Sequence, residues 1–251
     1  MSGHSKWANI KRTKAKVDEQ KGKVFSKVAR EIIVAVRKGG PSPEGNFRLR
    51  TVIQKAREAN MPVDNINRAI QKGAGDLEGA SFEELTYEGY GPGGAAVLVE
   101  ALTENRNRTA SEVRYIFSRN GGNLGEAGCV GWMFTRRGLI ALTKRDVGVG
   151  EDDLLLQALE AGAEDVQQEG DNYEILTAPE QLDAVRQALE RAGQKVSAAD
   201  ITLVPQSTVE LRGSEAQRML RLMETLEDHE DVQRVHSNFD IPEDELARLQ
   251  P

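Results

Sequence analysis

The chain is 251 residues long, 39% hydrophobic and 29% charged, with a formal net charge of −7. That composition fits a soluble globular protein of two or three domains. No apolar run approaches the roughly 18 residues of a membrane span, the cationic start lacks the apolar stretch of a secretory signal, and a single cysteine, Cys129, excludes an internal disulfide framework; a cytoplasmic protein is expected.

The overall acidity hides a dipolar molecule. Residues 1–75 hold 17 basic and 6 acidic side chains, a net of +11, whereas residues 76–251 hold 16 and 34, a net of −18. The basic excess begins in an arm, residues 2–16, that carries His4, Lys6, Trp7, Lys11, Arg12, Lys14 and Lys16 with no apolar periodicity to bury it. Clustered cations neutralise phosphates and release counterions, and an interleaved tryptophan offers a base something to stack on. A solvated terminus is the plainer alternative, but the charge asymmetry favours a nucleic-acid partner.

A first helix follows, with Val24, Phe25, Val28, Ile32, Ala35 and Val36 on one face. Lys21, Lys23, Lys27 and Arg30 add further cations, and Lys23, Lys27 and Arg30 fall on the opposite face. Gly39 and Gly40 stop this helix, and Ser42 reads as the N-cap of a second, with Leu49, Val52, Ile53 and Ala56 inward. Pro62 opens a third short helix with Ile66, Ala69 and Ile70 buried and Gly73 as its stop. A Gly- and acid-rich linker follows.

The period then changes. Residues 85–90 and 95–103 read as strands joined by Gly91, Pro92, Gly93 and Gly94, 107–119 as a helix, and 129–135 as a strand. From 138 to 204 the order is β-α-β-β-α-β, the ferredoxin-like arrangement. Residues 208–212, 214–226 and 232–239 supply a strand, a helix and a strand that should pair with the 85–135 elements. The expected class is therefore α+β: a basic arm and three-helix domain over 1–75, a discontinuous middle domain over 76–137 and 205–242, an inserted ferredoxin-like domain over 138–204, and a tail over 243–251.

Candidate chemistry is sparse. The glycines at 89–94 lead into a strand, not a helix, so a hairpin turn is favoured over a phosphate loop. Cys129, His4, His229 and His236 show no ligand spacing, so no metal or cofactor is expected. Acidic runs such as Glu227, Asp228, Glu230 and Asp231 read as solvated faces, and no active site is apparent. Arg106 and Arg108 stand at the start of a helix, where the dipole disfavours cations. Either Asn107 caps that helix and the arginines are tolerated, or they await an anion. The glycine-rich stretch 120–128 is either a connector or a loop that approaches a partner closely.

The stretch Gly3-His4-Ser5-Lys6-Trp7-Ala8-Asn9-Ile10-Lys11 resembles the start of the YebC family. Similar to that family too are Asn60-Met61-Pro62, Tyr87 to Gly94, Thr103 to Thr109 and Gly131-Trp132-Met133-Phe134, so the resemblance spans essentially the whole chain. It implies three domains and no enzymatic activity. It also implies nucleic-acid binding, because bacterial members are classed as probable DNA-binding transcriptional regulators. A mitochondrial member activates translation, and some bacterial members are tied to ribosomes at difficult peptide bonds. Many members have a His-Arg pair where this chain has Arg12 and Thr13. Ribosomal RNA on the ribosome is the favoured partner and DNA the alternative, since lysines spread over several faces suit phosphate contact more than base-edge readout.

Overall fold

The computed structural model describes residues 19–75 and 82–249. It contains a helical N-terminal domain and two α+β domains, the third ferredoxin-like and inserted into the second, which is the class expected from the sequence.

The helical domain packs α1 (Glu19–Gly39), α2 (Phe47–Glu58) and α3 (Val63–Ala74) around Val28, Ile32, Val36, Leu49, Ile53 and Ile66. The inward face of α2 is the expected one, but its start is not. Asn46, rather than Ser42, is the cap: its side-chain oxygen accepts from the Leu49 amide at 3.0 Å, and its amide nitrogen donates to the Ala35 and Gly40 carbonyls at 2.8 Å each. One buried side chain thus opens α2 and satisfies carbonyls that the end of α1 leaves over. Gly73 does not stop α3; the left-handed residue is Gly75. Gly73 is where α3 crosses α1, since a Cβ there would lie 2.7 Å from Val36 Cβ.

The middle domain is built on a four-stranded antiparallel sheet of order β3-β1-β2-β9. Its strands are β1 (Glu83–Tyr90), β2 (Ala96–Thr103), β3 (Asn123–Leu124) and β9 (Val232–Ser237). Between β2 and β3 runs α4 (Arg106–Arg119). On one face Val97, Val99 and Val235 meet Val113 and Phe117 of α4 and Met219, Leu222 and Leu226 of α7 (Gly213–Asp228). Each fully buried side chain of this size contributes roughly 1.5–3 kcal/mol. On the other face Ala96 and Leu98 meet Val130 and Phe134, so β2 is buried on both sides.

The inserted domain runs β4 (Phe134–Thr143), α5 (Glu151–Glu160), β5 (Asp165–Glu169), β6 (Asn172–Thr177), α6 (Leu182–Arg191) and β7 (Val196–Pro205). Its antiparallel sheet has the order β5-β6-β4-β7, with Ile140, Leu142 and Ile175 packed on Leu154, Val185 and Leu189 of the helices. β4 starts at Phe134, four residues before the expected domain boundary at Gly138, and pairs with β7 as far as Pro205.

Two expected strands differ. Residues 129–133 form no strand, because the Val130 and Gly131 amides are taken by the Glu88 carboxylate and not by a ladder. β8 (Val209–Glu210) stays out of the four-stranded sheet and pairs in parallel with β10 (Phe239–Asp240), anchored by Leu211 and Phe239 in the core. The tail residues form α8 (Glu243–Leu249).

Candidate nucleic-acid interface

The arm, with His4, Lys6, Trp7, Lys11, Arg12, Lys14 and Lys16, lies outside the described residues, as does the side chain of Lys21. The cations that follow are placed, and they do not form a bare face. Lys23, Lys27 and Arg30 recur at helical spacing along one stripe of α1, and that stripe rests on the acidic turn after α7. Lys23 Nζ lies 4.0 Å from Asp228, and Lys27 Nζ donates to the Glu227 carbonyl at 2.6 Å. Arg30 donates to the Glu230 carbonyl at 2.6 Å, pairs with the Glu230 carboxylate, and reaches Asp231 Oδ1 at 3.1 Å. The cations also sit where the α7 carbonyls end, the favourable pole of that helix.

Asp231 is the centre of this contact, with its side chain only 2% exposed. Its Oδ2 accepts from Arg108 at 2.7 Å, Thr109 at 2.8 Å and Thr103 at 3.1 Å. Burial pushes this carboxyl up, but the donors from Arg108, Thr109 and Thr103 outweigh it and hold the group below the usual carboxylate range. The Asp231 amide donates to His229 Nδ1 at 3.1 Å, which leaves Nε2 as the ring's donor toward Glu112 at 2.9 Å. A second tie between the domains is Glu84 of β1, paired with Lys38 and Arg48.

This arrangement resolves the conflict at the start of α4. Asn105, not Asn107, is the cap, accepting from the Arg108 amide at 3.1 Å. The anion that Arg108 meets is a carboxylate of the protein itself. Arg106 is exposed and makes no ion pair among the described residues. Of the candidate cations, the structure therefore brings Lys23, Lys27, Arg30 and Arg108 to one turn and leaves Arg106 apart.

The glycine-rich stretch is ordered by Glu88. Its carboxylate accepts from the amides of Gly128 at 2.9 Å, Val130 at 2.8 Å and Gly131 at 2.6 Å, while Gly125 donates to the Glu88 carbonyl at 2.8 Å. Burial raises the Glu88 carboxyl, and the three amides more than reverse that. Cys129, partly buried beside this loop, has its thiol pushed up by burial and by Glu88, which suits packing better than nucleophilic work. Trp132 is exposed, with its indole N–H on the Cys129 carbonyl at 3.1 Å.

Glu112, His229 and Asp231 bring three potential metal-ligand atoms within 4.8 Å of one another. The carboxylate of Asp231 already faces two guanidiniums, which would repel a cation, so the group is better read as an ion-pair hub. Asp228, Glu230 and Asp231 were not legible as partners of α1. The sole signal was complementary charge between the first helix and the run at 227–231.

Comparison with known proteins agrees with the resemblance in the sequence. Residues 5–76 match the family description "TACO1/YebC protein N-terminal domain", and residues 82–239 match "TACO1/YebC second and third domain". A probable transcriptional regulatory protein of Pelotomaculum thermopropionicum is 60% identical over 241 residues, 96% of this chain and 99% of that protein. One from Dictyoglomus turgidum is 54% identical over 249 residues, 99% of this chain and 100% of that protein. The crystal structure of a conserved hypothetical protein from Aquifex aeolicus superposes with a TM-score of 0.81 at 54% identity, over 92% of this chain and 94% of that one. With both family descriptions matched in chain order and relatives of this identity aligned end to end, the chain belongs to the TACO1/YebC family.

Proposed function

We propose that the protein is a non-enzymatic nucleic-acid-binding regulator of gene expression that works on the ribosome, where its cationic arm engages ribosomal RNA and assists difficult peptide-bond formation. The observation that carries this is the charge division, +11 over residues 1–75 against −18 beyond. An acidic body repels a polyanion and turns the basic end toward it. The docking of α1 on the turn at 227–231 supports the same reading. Lys27 and Arg30 are committed to the middle domain, so they are not the cations that this reading offers to a partner. The helical domain is then a poor candidate for a recognition helix, because α1 offers that face to protein and not to a groove.

A DNA-binding transcriptional regulator is the second reading, favoured by the names of the relatives. Crosslinking and sequencing of bound nucleic acid from cells separates the two: ribosomal RNA supports the first, promoter DNA the second. In vitro, deleting residues 2–16 removes Lys6, Lys11, Arg12, Lys14 and Lys16. If all five contact a single-stranded RNA, the slope of log affinity against log salt shrinks by roughly 3 to 4, at about 0.7 per contact. An unchanged slope would remove the arm from the interface.

A further inference from the structure

The charge of α4 is out of keeping with its surroundings. Residues 76–251 are net −18, yet α4 carries four arginines against one glutamate. That glutamate, Glu112, is turned toward the end of α7, where it meets His229 and Arg108. Thr109, Val113, Ile116 and Phe117 fix the inward side of the helix. At about 100° per residue, Arg114 and Tyr115 then point away from the sheet, with Arg119 next to Tyr115. All three are exposed, Tyr115 to 60%. Arg119 donates to the Tyr115 hydroxyl at 2.8 Å, and its guanidinium carbon stands 5.9 Å from the ring centroid.

The neighbouring helix α7 continues this surface. Asp231, just past the end of α7, meets Arg108 in the first turn of α4. At the other end Arg218, early in α7, lies against Gly121, just past the end of α4, where a Cβ would be 3.4 Å from its guanidinium. The two helices thus run antiparallel, with Arg218 on the flank of α7 that faces α4. Arg221 falls about 60° further round, toward solvent, and the acid Glu224 about 60° beyond that, away from α4. Arg114, Arg119, Arg218 and Arg221 make no ion pair among the described residues, whereas Arg212, also exposed and just before α7, is paired with Glu210 and Asp244. The negative pole of α4 accounts for cations near its end, Arg119 and Arg218. It accounts neither for Arg114 and Arg221 nor for an aromatic ring left in solvent among them.

We infer that the outward face of α4 and α7 is a nucleic-acid contact, which holds the phosphates of a single-stranded RNA with Arg114, Arg119, Arg218 and Arg221 and stacks a base on Tyr115. Guanidiniums with no carboxylate partner are free to make charge-assisted bonds to phosphate oxygens. A ring steadied by Arg119 is a platform on which a base of any kind can stack. An acidic peptide would meet the same arginines but leaves the ring without a partner. In an otherwise acidic body this face is the local exception, so a strand would be guided to it and not wrapped around the domain. The inference rests on the nucleic-acid reading for its ligand and on no residue of the arm.

The test uses the full chain, with a single-stranded RNA of mixed sequence as probe and polyglutamate as a second polyanion. The double variant Arg114→Gln with Arg218→Gln takes one cation from each helix and spares the pair of Tyr115 and Arg119. Its slope of log affinity against log salt should shrink by roughly 1.4, at about 0.7 per contact. Arg145→Gln with Arg191→Gln removes the same charge from exposed positions of the inserted domain and should leave the slope as it is. Tyr115→Ala should weaken RNA binding about five- to a hundred-fold with the slope unchanged. All these side chains are exposed, so melting temperatures should match the wild type. Unaltered RNA binding in the face variants, beside a wild type that binds RNA, overturns the face and leaves the nucleic-acid reading standing. An equal loss in the control pair shows bulk charge alone at work and overturns the face as well. Loss of polyglutamate binding in the double variant, with Tyr115→Ala binding RNA as the wild type does, marks an acidic-protein surface and overturns the RNA assignment. A wild type that binds no RNA overturns the face, and crosslinking from cells then decides the wider reading alone.

Discussion

Asp231 and Glu88 each gather at least three hydrogen-bond donors, yet they join different things. Asp231 collects guanidiniums and hydroxyls from α1, β2 and α4, and so ties the helical domain to the middle one. Glu88 collects backbone amides from a loop of its own domain and fixes the path of that loop. Backbone amides have nowhere else to go while the domain is folded. Guanidiniums on flexible stems can exchange one anion for another, and phosphate is as good a partner as carboxylate. The joint at Asp231 is therefore one with which a polyanion can compete, whereas the loop at Glu88 is not.

The largest effect should come from Asp231→Ala. It removes one partner each from Arg30, Arg108 and two threonines, and with Arg30 still on Glu230 and Arg108 half exposed the cost should stay at or below the roughly 3–5 kcal/mol of breaking a fully buried pair. Denaturant unfolding would read it, and a loss below about 1 kcal/mol would show that both arginines relax into solvent.

Acid should remove part of the same energy. Asp231 and Glu88 are held low by their donors against burial, and Glu100 chiefly by His236, whose Nε2 lies 3.6 Å away. For a depressed carboxyl, stability is fully present above the unfolded pKa, near 4 for these types, and is lost as pH falls through the folded one. Melting temperatures should hold from pH 7 to about 5 and fall below about 4, with a shallower fall in Asp231→Asn. A fall of equal steepness in that variant would assign the acid response elsewhere.

Glu88→Gln sharpens the contrast from the other side. It should cost about 1.5–3 kcal/mol, the scale of hydrogen bonds to a charged group. Amide exchange should quicken at Gly128, Val130 and Gly131 while the protection of α1 is unchanged. Loss of protection in α1 as well would mean that the two carboxylates are coupled.

Local periodicity made much of this fold readable. The apolar positions 49, 52, 53 and 56 of α2 and the strand order of the inserted domain follow from spacing alone. The cap at Asn46 did not, because its purpose is to satisfy the end of the preceding helix, and Ser42 offers the same cap chemistry nearby. The cations of the candidate interface were visible, but their partners were not. Arg30 and Asp231 are 201 residues apart, and nothing near Asp231 distinguishes a buried acid from its solvated neighbours. The bulge at Gln233, where Arg234 stands opposite Glu100 and Val232 opposite Ala101, was invisible for a related reason, since it depends on the register of two strands and not on the sequence of one.

The way the third domain joins the second has a practical consequence. Phe134 and Pro205 face each other across β4 and β7, and the Gln206 amide donates to the Met133 carbonyl at 2.9 Å. Entry and exit are thus as close as the two arms of a hairpin, about 5 Å between paired residues. A short turn could bridge that gap, so the ferredoxin-like unit hangs on the molecule as an excisable module. A chain trimmed there would keep the sheet β3-β1-β2-β9 uncut.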